Sequence, residues 1–189
     1  MNQDERMLAV PGSTAEGSPA EGEDRPKSCW LWLDGDGESA VGLTPVRLVF
    51  LSAEARPVLV LLTGVPTDDP DSIMELIDHG AELALSWSAD RLRGLLEGRL
   101  GRADAETLVE QLAGAGLVED FWRGVEASLR AGRMGLVLGT PELTDHAAEM
   151  IRFLDGQMRP TTVQALVLPQ TAGLPARECL PALLAQVQL

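Results

Sequence analysis

Two short apolar runs, Val46–Leu51 and Val58–Leu62, stand on either side of a polar connection, Ser52–Arg56. Runs of this length, rich in Val and Leu, predict two strands joined by a turn. The period then changes. Ile73, Leu76, Ile77, Gly80, Ala81 and Ala84 recur at helical spacing and predict a core-facing stripe. Pro70 suits the first turn of that helix, and Asp69 or Asp71 its amino-terminal cap. Three more helices are expected, over about 89–100 (apolar at Leu92, Leu95 and Leu96), about 104–113, and about 119–131 (apolar at Phe121, Val125 and Leu129). Gly114 and Gly132 end the last two. Met134–Leu138 reads as a short buried strand. Thr144 caps a helix running to about Met158, with Ala147, Met150, Ile151 and Leu154 on its apolar stripe, and Arg159-Pro160 stops it. Thr161–Leu168 alternates and is a further strand, which completes a βαβ unit with parallel pairing and a right-handed crossover.

Both ends read differently. Residues 1–28 are dominated by Gly, Ser, Pro, Ala and acidic side chains, too little apolar surface to offset the entropy of ordering, so a disordered acidic tail is expected. Cys29–Leu33 is expected to be a strand with Trp30 and Trp32 on one face, turning at Asp34-Gly35 and Asp36-Gly37, and forming an extra layer or an edge of the sheet. The same D-x-D-G string lacks the later ligands of a calcium loop. Leu180, Leu183, Leu184 and Val187 suggest a short amphipathic element at the carboxyl end. The expected organisation is therefore a tail over 1–28 and a single α/β domain over 29–189. Its mixed central sheet is flanked by helices, with a helical insertion between about 89 and 131 ahead of the βαβ unit.

Charge narrows the function. Of 189 residues, 29 are acidic and 15 basic, with one lysine, giving a net charge of −14. Such a surface repels phosphate backbones, so a protein partner or self-association is expected rather than a nucleic acid. The one basic stretch, Arg91, Arg93, Arg99 and Arg102, is the candidate phosphate-contacting face; the competing reading is a solvated helical face paired with nearby acids. Two cysteines, Cys29 and Cys179, build no disulfide framework, which fits a reducing, cytoplasmic setting. No apolar run approaches the roughly 20 residues of a membrane span, and no secretory signal is visible. A Gly-rich phosphate loop, a G-x-S-x-G elbow and a CxxC pair are all missing, so no cofactor is expected.

Two segments carry a resemblance. F-W-R-G-V-E-A-S-L-R-A-G-R-M-G-L-V-L at Phe121–Leu138 and H-A-A-E-M-I-R-F-L-D-G-Q-M-R-P-T-T-V-Q-A-L at His146–Leu166 are similar to the carboxyl-terminal half of a group of bacterial proteins in the restriction-endonuclease-like superfamily. In that group an F-W-x-x-V-x-x-N-L-x-A-G-R-I segment leads into a strand, and a helix and a P-x-E-V-x-A-V-E strand follow. The closing Gly173–Pro181 stretch also resembles the group's tail. The likeness covers roughly residues 44–189 and implies a nuclease-like mixed sheet. It also implies a site in the amino-terminal half: an Asp opening one strand, Glu-Val-Lys on the next, and a Gln and a Tyr four residues apart on the helix. Two carboxylates would hold divalent ions that polarise the scissile phosphate, and the lysine would stabilise developing charge.

Carried over position by position, that pattern is lost here. The Asp position falls near Arg47, the Glu position on Leu61 and the Lys position on Thr63. The Gln and Tyr positions fall on Glu75 and His79. A guanidinium repels a metal cation and a leucine ligates nothing. The expectation is a nuclease-like domain without nuclease activity, acting as a protein-binding or scaffolding module. The alternatives are a metal-dependent nuclease with a relocated site built from Glu75, His79 and the acids Asp68, Asp69 and Asp71, and a nucleic-acid binder that does not cleave. His146, in a helix's first turn, reads as a surface residue rather than a catalytic base.

Overall fold

A computed structural model describes residues 31–34, 46–63 and 70–168 of the chain. Five strands form one mixed sheet in sequence order: β1 (Leu31–Asp34), β2 (Val46–Leu51), β3 (Pro57–Leu62), β4 (Gly135–Thr140) and β5 (Thr162–Val167). β1–β2 and β2–β3 pair antiparallel, while β3–β4 and β4–β5 pair parallel. Among the described residues β1 is thus an edge of the main sheet, one of the two places expected for it; its turn residues, Trp30 and the two tryptophan side chains lie outside what is described. The same holds for the tail over 1–28, both cysteines and the carboxyl-terminal element.

The β2–β3 connection is tight. Ala55 takes a left-handed conformation (φ 57°), and the Ser52 N–H donates to the Arg56 carbonyl at 3.0 Å. Parallel neighbours need crossovers, and helices supply them. Between β3 and β4 run α1 (Pro70–Ser86), α2 (Ala89–Leu100), α3 (Arg102–Ala113) and α4 (Val118–Arg130); between β4 and β5 runs α5 (Asp145–Gln157). The helical insertion and the βαβ unit are therefore present. β3, β4 and β5 step across the sheet in one direction, so crossovers of one hand carry their helices to one side. The core reflects this. Buried residues of all five helices share one cluster with Val49, Leu51, Leu59, Leu61, Leu136, Leu138 and Val163. The alternate strand residues Val46, Leu48, Phe50, Val58, Val60, Leu62 and Val137 form a second buried cluster on the opposite face.

Pro70 opens α1, as its fixed φ favours. Its buried line is Ile73, Leu76, Gly80 and Leu83, with Ile77 and Ala84 packed alongside. Ala81, expected in the stripe, faces solvent, and Leu83 takes the place in the core. Gly80 lets α1 approach the sheet: a Cβ there would lie 2.8 Å from a Leu136 methyl. Thr144 caps α5 as expected, its hydroxyl accepting from the Ala147 N–H at 3.2 Å.

Candidate functional site

The positions singled out by the sequence gather where β2 and β3 meet α1. Arg47 and Leu61 are direct partners across the β2–β3 ladder. Partners in a ladder project to the same face, here the helix-bearing one. Leu61 is 1% exposed and belongs to the main core. Thr63 follows β3 immediately and is buried as well. Its N–H extends the parallel ladder by donating to the Gly139 carbonyl at 2.8 Å, and its hydroxyl lies 3.4 Å from the same oxygen. Two of the three positions are thus filled by packed, internally bonded groups.

Arg47 is half-exposed and reaches across to α1. Its Nη1 lies 3.3 Å from Glu82 Oε2 and 3.4 Å from His79 Nδ1. His79 Nε2 lies 3.5 Å from Glu75 Oε1, and His79 Nδ1 is 3.8 Å from Glu82 Oε2. With the ring proton on Nε2, Nδ1 accepts from Arg47 and Nε2 donates towards Glu75. Glu75, His79 and Glu82 sit at i, i+4 and i+7 of one helix, so a single face presents them to Arg47. The residual candidates Glu75 and His79 are therefore adjacent, and they are joined by a cation. Glu82 is the member that sequence reasoning missed. Its spacing of three from His79 was the available signal, but its tie to Arg47 spans 35 residues and exists only once α1 docks on the sheet.

Among the described residues, no group of three or more His, Cys, Asp or Glu side chains is placed to hold a metal ion. Asp68 and Asp69 lie outside the described residues. Asp71 stands in the first turn of α1, where negative charge complements the helix dipole. His146 is exposed in the first turn of α5.

The arginine stretch is largely paired. Arg93 bonds Glu97 at 2.9 Å and Glu119 at 2.8 Å, with Glu106 at 3.7 Å, so it ties α2 to α3 and α4. The hydrogen bonds it donates to Glu119 and Glu97 raise its pKa above the ordinary arginine value. Arg102 bonds Glu106 at 3.0 Å. Arg91 lies over the Trp87 ring, 4.4 Å from its centroid, and Arg99 closes the last turn of α2. Glu126 of α4 accepts the Ala89 N–H at 2.9 Å, supplying a cap to α2 that no sequence spacing announced. That bond, with help from Arg130, holds its carboxyl below the usual range.

No helix among the described residues is long and apolar enough to cross a membrane. Comparison with protein-family models, with curated proteins and with solved structures finds no match to this chain.

Proposed function

We propose that this chain is a restriction-endonuclease-like domain that does not cut nucleic acid and serves as a protein-binding or scaffolding module. One observation carries the reading. At the sheet positions where such a fold would hold carboxylates, Arg47 places a cation bonded to Glu82 and His79, and Leu61 places a core side chain. In-line phosphodiester cleavage needs a divalent ion close to the scissile phosphate, and a guanidinium 3.3 Å from Glu82 competes with that ion for its charge. The paired arginines support the second half of the reading, because guanidiniums shared among Glu97, Glu106 and Glu119 offer little to a phosphate backbone.

A calorimetric titration with Mn²⁺ tests it. The proposal expects no saturable binding at concentrations up to about 1 mM, the weak end for oxygen-ligand sites. Saturable binding that disappears in both Glu75→Ala and His79→Ala overturns it in favour of a relocated metal site. A gel shift with duplex DNA at low salt, lost as salt rises, would favour the non-cleaving nucleic-acid binder instead.

A further inference from the structure

The face of the sheet turned away from the helices is apolar and closed to water. Leu48, Phe50, Val58, Val60, Leu62 and Val137 are each 3% exposed or less. The buried residues of all five helices belong to the cluster on the other face. Of the described residues, Leu166 and Leu168 pack against this second cluster, and both belong to β5 or its immediate end, within the sheet layer itself. Side chains on a bare sheet face stand beside one another and keep their tips in water; a second layer is what buries them. Exposures near zero therefore require a covering layer. The burial is that of one chain alone, so the layer comes from this chain and not from a second copy or a partner.

Residues 1–30, 35–45, 64–69 and 169–189 are the segments that could supply it. Apolar content selects the last. Residues 64–69 hold one aliphatic side chain, Val65, and residues 35–45 add Val41 and Leu43 to a run of Gly, Asp, Glu and Ser. In 1–28, Met7, Leu8 and Val10 form one short run among Gly, Pro, Ser and acids. Residues 169–189 carry Leu174, Leu180, Leu183, Leu184, Val187 and Leu189, and no charged side chain follows Glu178. Leu180, Leu183, Leu184 and Val187 recur at i, i+3, i+4 and i+7, the spacing of one apolar helical stripe. In a chain of net charge −14, an uncharged stretch of this kind is suited to a core and not to solvent.

We propose that the carboxyl-terminal segment, 169–189, folds back over this face and seats the Leu180, Leu183, Leu184 and Val187 stripe on Val58, Val60 and Val137. The end of β5 delivers the chain there. The Leu168 N–H donates to the Thr140 carbonyl at 2.8 Å, and a Leu168 methyl lies 3.4 Å from where a Cβ on Gly139 would stand. That same Cβ would lie 2.5 Å from a Leu62 methyl, so glycine at 139 leaves the room that Leu62 and Leu168 fill. Reach is ample. Residues 169–179 extend over roughly 35 Å, whereas β5 to β2 is three strand spacings, about 14 Å. Ten residues at helical rise, 180–189, measure about 15 Å, which matches the width to be covered. The proposal does not rest on the scaffolding reading. It narrows that reading, because a protein partner must then meet a surface other than this face.

Methyl NOE spectroscopy on the full chain, with Leu and Val methyls labelled, tests the seating. Cross-peaks are expected between Leu183, Leu184 or Val187 and Val58, Val60 or Val137. Their absence overturns the proposal. Urea denaturation gives an independent readout. Leu183→Glu removes a member of the stripe and is expected to lower the folding constant about tenfold or more. Gln186→Glu, off the stripe, is expected to change it by no more than about twofold. A Leu183→Glu chain as stable as Gln186→Glu overturns the proposal. If Leu183→Glu fails to fold, the cross-peaks of the wild type decide.

Discussion

Arg47 and Leu61 face each other across the β2–β3 ladder but live in different media. Arg47 keeps a side chain 37% exposed and bonds Glu82 at 3.3 Å, while Leu61 is 1% exposed beneath α1. This end of the sheet is organised as a core capped by a surface ion pair. The two residues set different tolerances for change, because a half-exposed pair exchanges partners with water whereas a core side chain has none to exchange.

Placing an acid at Leu61 is predicted to destabilise the domain rather than create a site. Leu61→Glu buries a carboxylate whose cross-strand neighbour, Arg47, is already engaged by Glu82 and His79, at a cost of about 3 kcal/mol or more. Leu61→Ala costs about 2–5 kcal/mol through the cavity it leaves. Arg47→Ala, losing a partly exposed pair, costs about 1 kcal/mol or less. Urea denaturation of the three variants checks the order.

Gly124 is predicted to be intolerant of any side chain. A Cβ there would lie 2.9 Å from the Ala55 Cβ in the β2–β3 turn, and neither atom sits on a flexible arm. Gly124→Ala gains helix propensity but forces α4 away from the turn, for a net loss of about 1–2 kcal/mol. Gly98→Ala, with open space around it, is predicted to stabilise by up to about 1 kcal/mol. The difference between their melting temperatures is the readout.

Glu126 is predicted to give α2 an acid-sensitive anchor. Its carboxyl is held below the usual range by the Ala89 N–H and then by Arg130. A depressed folded-state pKa means that the unfolded chain takes up the proton first as pH falls. The stabilisation is therefore complete above the unfolded carboxylate range and is lost as pH drops through the lower folded value. Glu126→Gln should be less stable than wild type at pH 7, and the gap should close below about pH 4.

Arg93 is predicted to matter for packing of the helical insertion and not for phosphate. It is shared by Glu97, Glu106 and Glu119, with a side chain 22% exposed. Arg93→Ala should lower stability by about 1 kcal/mol in dilute buffer and by less in molar salt, because screening weakens exposed pairs. A salt series of thermal melts measures both.

Local signals explain how much of this was legible in the sequence. α2 was readable from Leu92, Leu95 and Leu96, and the structure adds that Ser88 and Gly101 bound it through bonds to their own neighbours. The strands over 46–51 and 58–62 were readable because their runs are short, apolar and split by a polar turn. Ala81 was misplaced because a small residue beside the stripe reads the same inside or out, whereas docking chose the Leu76–Leu83 line. That all five helices share one face followed from topology, which periodicity does not encode. The site was legible only as positions. The Arg47–His79–Glu82 grouping and the Glu126 cap join residues more than 30 apart, and such contacts exist only after the layers pack.

A cleavage assay tests the proposed lack of nuclease activity. Plasmid and single-stranded DNA are incubated with the purified chain in Mg²⁺ or Mn²⁺, alongside Glu75→Gln. Both proteins are expected to leave the substrates at the level of buffer alone. Metal-dependent cutting by the wild type, abolished in Glu75→Gln, would contradict it.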